Sequence, residues 1–173
     1  MSIDRRFKER PRNMSKKKST KKSAKQQRII DELCVSYNSE VETVINYLAN
    51  SVWLDGIRAK HIKDSLAGEV ADELGHAQLL ANRIKVLNGK PPGSQELKMT
   101  QSFLQPPASA VDIKSVIRGV IKAEQGAIDQ YQKLIDLCDG IDPVTQDLCV
   151  RLKGDEEEHR RLFQGYLAEA DQL

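Results

Sequence analysis

The 173-residue chain, 19.5 kDa, has room for one domain and a tail. No apolar run is long enough to span a bilayer, which excludes a transmembrane protein, and three cysteines without framework spacing exclude a secreted disulfide scaffold. The net charge of +2 hides a split: residues 1–28 carry 12 Lys and Arg against two acids, a net +10, while residues 29–173 carry 15 against 23, a net −8.

Residues 1–28 hold almost no apolar side chains, so they cannot bury enough surface to fold alone, and a disordered basic arm is expected. Such an arm suits polyanions. It neutralises DNA phosphates without reading bases, so binding is expected to be sequence-nonspecific and sensitive to salt. No apolar h-region follows it, so no secretory signal is expected and a cytoplasmic location is.

From residue 29 on, apolar residues recur at three- and four-residue steps. Ile30, Leu33, Tyr37, Val41, Val44, Leu48 and Val52 predict a helix over about 28–53, ending before Asp55-Gly56. Ile62, Leu66, Val70, Ala77, Leu80, Ile84 and Leu87 predict a second, stopped at Asn88-Gly89 with Pro91-Pro92 beyond. A connection over about 89–110 is long enough to cross the length of a bundle, with room for a short helix near 94–103. A third helix carries Ile113, Ile117, Val120, Ile121, Ile128, Tyr131 and Ile135 and ends at Gly140; Asp142 as N-cap and Pro143 at N1 open a fourth, running to about 170. The expected fold is all-α: a ferritin-like four-helix bundle over 29–173, with a long crossover between helices 2 and 3.

The two halves repeat one another. Asp72-Glu73-Leu-Gly-His76-Ala-Gln-Leu79 and Asp155-Glu156-Glu-Glu-His159-Arg-Arg-Leu162 share D-E-x-x-H-x-x-L. Glu40 precedes Tyr47 by seven residues, as Glu124 precedes Tyr131. At about 100° per residue, Glu40 lies inside the apolar stripe of its helix while Glu42 is expected to point away. Glu124 is centred between Val120, Ile121 and Ile128; Glu73 and His76 share a face with Leu66, Leu80 and Ile84, and Glu156 and His159 with Leu152, Phe163 and Leu167. Charges on apolar helix faces are costly unless paired or bound to metal. Four carboxylates with two imidazoles suit a pair of iron or manganese ions, and two divalent ions would be neutralised by the four carboxylates. One Glu on each of two helices with Glu-x-x-His on the other two is the known pattern of di-iron carboxylate bundles.

On these motifs the chain resembles the bacterioferritins and the Dps-like ferritins that carry a bacterioferritin-type site, over about residues 29–170. The resemblance implies that Glu40, Glu73, His76, Glu124, Glu156 and His159 bind two iron ions per subunit, with Glu73 and Glu156 bridging and manganese or zinc as surrogates. It implies that Tyr47 supplies an electron during oxidation and that Glu69 and Asp72 hold iron near an inner surface. The activity implied is ferroxidase: Fe(II) is oxidised with peroxide or dioxygen and stored, with DNA held by residues 1–28. Leu74 stands where bacterioferritins place the haem-ligating Met, so no haem is expected. The chain ends 14 residues after His159, short of the extra helix of 24-subunit cages, which makes a homo-oligomeric cage of Dps-like, dodecameric size the expectation. Gly126 replaces the cysteine that some Dps-like relatives carry beside the site, so Cys138 and Cys149 are not obviously that pair. The alternatives are a nucleoid-packing DNA-binding protein with a vestigial metal site and a rubrerythrin-like peroxidase, which usually carries a four-cysteine iron domain; no C-x-x-C occurs here.

Overall fold

The computed structural model describes residues 23–172, and the first 22 residues of the basic arm lie outside them. Four long helices form the bundle: α1 (Ala24–Trp53), α2 (Lys60–Val86), α3 (Ile113–Cys138) and α4 (Pro143–Ala170). α1 packs chiefly against α2, and α3 against α4.

Helix boundaries follow local chemistry. α1 starts earlier than the apolar pattern indicated, because the Ser23 side chain accepts from Gln26 N at 3.1 Å and caps it. Residues 24–28, read from sequence as arm, therefore belong to the helix. α2 stops where expected: Asn88 takes φ of 60°, and Gly89 N donates to Ile84 O at 2.8 Å. A Cβ on Gly89 would stand 2.7 Å from Ile84 and 2.8 Å from Ile30, so glycine lets the two helices close there. Asp142 caps α4, accepting from Thr145 N at 3.0 Å, with Pro143 in the first turn.

The crossover between α2 and α3 decides the topology. It runs beside α1 in the same direction: Asn38 holds Lys98, Asn46 holds Gln101, Asn50 donates to Leu104 O, Trp53 Nε1 donates to Pro107 O, and Asp55 N donates to Ala110 O. α3 thus begins at the end of the bundle where α1 finishes and runs antiparallel to it. The short α-helix expected near 94–103 does not form; a turn at 94–96 and a 3₁₀ turn at Ser102–Leu104 stand there, and Gln101 bonds to Glu42 and Thr43 of α1.

The same contact corrects the expected face of α1. Leu48 and Val52, placed in the core stripe by periodicity, are 55% and 74% exposed, whereas Thr43, Asn46 and Asn50 are buried. Glu42, expected to point away, is buried too: it accepts from Gln101 N at 2.7 Å. Burying polar side chains is tolerable because the crossover supplies their partners.

Two apolar clusters fill the ends of the bundle. One gathers Leu33, Leu80, Ile84, Tyr131, Leu134, Cys138, Cys149 and Leu152; the other gathers Tyr47, Leu66, Ile117, Val120 and Phe163. Cys34 packs against the first cluster. Cys138 and Cys149 are free thiols, which burial pushes up to about 11 and about 12 respectively. Between the clusters, at mid-height of all four helices, lie charged residues.

Candidate metal centre

α1 supplies Glu40, α2 supplies Glu73 and His76, α3 supplies Glu124, and α4 supplies Glu156 and His159. All four carboxylates are no more than 2% exposed. The structure brings these six sequence-nominated residues together as two overlapping sets. Ligand-capable atoms of Glu40, Glu73, His76 and Glu156 lie within 4.8 Å of one another, and so do those of Glu73, Glu124, Glu156 and His159. Glu73 and Glu156 are common to both.

Each imidazole turns the same nitrogen toward the shared pair. His76 Nδ1 stands 3.0 Å from Glu156 Oε1 and 3.5 Å from Glu73 Oε2; His159 Nδ1 stands 3.4 Å from Glu156 Oε2 and 3.6 Å from Glu73 Oε1. The rings lie nearly parallel, 6.2 Å apart. Both oxygens of Glu73, both of Glu156 and both Nδ1 atoms are buried without a hydrogen-bond partner. So many orphaned polar atoms converging on one point are unusual in a folded interior, and a cation between them is what they lack. The donor set fits a pair of divalent ions.

The two remaining carboxylates are held by tyrosines. Tyr47 on α1 donates to Glu124 on α3, and Tyr131 on α3 donates to Glu40 on α1, so each half of the repeat buttresses the other. Tyr47 was nominated from sequence; Tyr131 was not, although its identical seven-residue spacing from Glu124 was the available signal.

Burial raises Glu40 and Glu124 well above the ordinary carboxylate range, and the charges of Glu73 and Glu156 push the same way. Burial would also raise Glu73 and Glu156, but the two imidazoles outweigh it, lowering Glu73 and holding Glu156 at about 2. Burial opposes the imidazolium forms, yet the carboxylates win, raising His76 to about 10 and His159 as well.

A solvent-open depression of about 430 Å³ between α2 and α4 reaches the histidines. Asp72, Asp155 and Glu158 line it, and no side chain stands over Gly75. Glu69 and Asp72 also cluster with His159. His61 is exposed.

The ferritin-like domain model matches residues 30–173. The chain belongs to the ferritin-like domain family. Among solved structures, this ferritin-like protein is similar to a dodecameric thioferritin, the bacterioferritin-related protein of Bacteroides fragilis. The two are 25% identical, with a TM-score of 0.74 over 85% of this chain and 88% of that one. A ferritin-like diiron-carboxylate protein of Bacillus anthracis matches at 23% identity and TM-score 0.72, over 84% and 99% of the two chains. The bacterioferritin of Desulfovibrio desulfuricans matches at 21% and 0.74, over 86% and 83%, and these last two establish the shared fold. No curated protein matches the chain. No helix among the described residues is long and apolar enough to cross a membrane.

Proposed function

We propose that this protein is a ferroxidase of an iron-storing cage, oxidising Fe(II) between its four helices. The observation that carries this reading is the pair of overlapping ligand sets sharing Glu73 and Glu156 in a dry interior. Glu40 and His76 would hold one ion, Glu124 and His159 the other, and Glu73 and Glu156 would span both. The four carboxylates neutralise two Fe(II), and manganese or zinc can occupy the same donors. Two Fe(II) substrates give one electron each, and peroxide taking up two electrons and two protons leaves as two waters; dioxygen reduced to peroxide balances equally.

The chain's own residues do the rest. Asp72, Asp155 and Glu158 on the depression attract Fe(II) toward the histidines. Tyr47 and Tyr131 orient the terminal carboxylates. The apolar clusters above and below shield the reacting ions from water along the bundle axis.

A homo-oligomer is supported by apolar side chains left in water. Ile45, Leu48 and Val52 form an exposed stripe on α1, with Leu74 and Val86 exposed on α2. A closed dodecamer would cover such faces, as in the dodecameric B. fragilis relative. The arm, at +10 against −8 for the remainder, would tether the cage to DNA, where Fe(II) and peroxide are most damaging.

Stopped-flow absorbance after Fe(II) addition tests the reading. Glu156→Ala and His159→Ala should each abolish rapid oxidation while far-UV circular dichroism and assembly size stay unchanged. Wild-type rates in both variants would overturn the assignment.

A further inference from the structure

The duplicated halves are not equivalent behind the histidines. His159 Nε2, the ring nitrogen facing away from Glu73 and Glu156, stands 2.9 Å from Glu69 Oε2. Glu69 is 8% exposed, and its Oε2 is buried without a hydrogen-bond partner, with that ring nitrogen beside it. His76 Nε2 instead stands 3.5 Å from Asp155 Oδ2, whose side chain is 58% exposed. In the repeat, the position on α4 equivalent to Glu69 is Leu152, so the half containing His76 has no buried carboxylate to match.

A metal-binding imidazole is tuned by the partner of its other nitrogen. A carboxylate accepting that ring proton fixes the tautomer, holds the ring plane and makes the free nitrogen a stronger donor. The effect is large in a buried setting and small where water screens the pair. We propose that Glu69 is a positioning residue that accepts the Nε2 proton of His159 and aims its Nδ1 at the centre, so that the Glu124/His159 half binds its ion more tightly than the Glu40/His76 half. Asp155, longer in distance and open to solvent, does little for His76. The inference rests on the two-ion reading above and gives its two halves an order of filling.

Cobalt(II) is the probe, titrated into metal-free full-length protein and followed by calorimetry and visible absorption. Wild type should take up two ions per subunit in two resolved steps. Glu69→Ala should weaken the tighter step about 10–100-fold and leave two ions bound. Glu69→Gln, which keeps an acceptor for the ring proton, should recover part of that loss. Asp155→Ala should weaken the looser step by a smaller factor than Glu69→Ala weakens the tighter one. In a His159→Ala background Glu69→Ala should have no further effect, since it acts through that ring. Unchanged steps in Glu69→Ala, or the loss of one bound ion, overturn the proposal; the second result would make Glu69 a ligand. A wild type that binds no cobalt removable by Glu156→Ala contradicts the two-ion reading itself, whereas normal two-ion uptake with an indifferent Glu69→Ala refutes only the positioning role.

Discussion

Filling the centre with two divalent ions should expel protons, in a number set by the charges already there. In the metal-free protein His76 and His159 are raised and carry protons, and Glu73 and Glu156 are lowered and ionised. Glu40 and Glu124 are raised and hold protons beyond the ordinary carboxylate range. That makes two imidazoliums against two carboxylates, a neutral cluster. Two ions bring four positive charges and require neutral rings with four ionised carboxylates, again neutral. The difference is four protons per subunit while Glu40 and Glu124 are protonated, two from rings and two from carboxyls. It falls toward two once the pH passes the raised carboxyl values, and falls further as the pH climbs through about 10, where His76 deprotonates. The logarithm of the overall binding constant rises with pH at a slope equal to that number. Zinc titration by calorimetry in buffers of different ionisation enthalpy counts the protons directly. Release of fewer than two per subunit near neutral pH would refute the charge assignment. The same shifts govern the metal-free fold: the stability His76 adds is full below the ordinary histidine range and lost as pH rises through about 10. That of Glu156 is full above the ordinary carboxylate range and lost as pH falls through about 2.

Gly119→Ala should destabilise the bundle by about 1–3 kcal/mol in urea denaturation, because a Cβ there would stand 2.7 Å from Phe103 O and force the crossover off α3. Removal of residues 2–22, which spares the Ser23 cap, should abolish retardation of plasmid DNA in low salt without altering Fe(II) oxidation, since the remaining body is acidic.

The helices and the six nominated residues were legible in sequence for one physical reason. A carboxylate amid Val120, Ile121 and Ile128 is out of place on an apolar face, and the repeat of D-E-x-x-H shows that it is no accident. What stayed hidden depends on tertiary partners. Glu42 reads as solvent-facing because helix periodicity carries no information about a crossover that will bring Gln101 to meet it. Leu48 and Val52 look like core for the converse reason: they are apolar, but the chain turns its polar face inward instead. The start of α1 is hard to read because a run of lysines masks the Ser23 cap. The contrast between Glu69 and Asp155 was equally invisible, since it depends on which helix shields each carboxylate from water.

Ferroxidase chemistry at this centre requires two ions side by side between Glu73 and Glu156. Anomalous diffraction at the iron edge, from crystals exposed to Fe(II) without oxidant, tests it most directly. Two peaks per subunit are expected, one among Glu40, Glu73, His76 and Glu156, the other among Glu73, Glu124, Glu156 and His159. A single peak, or iron confined to the Asp72, Asp155 and Glu158 depression, would contradict it.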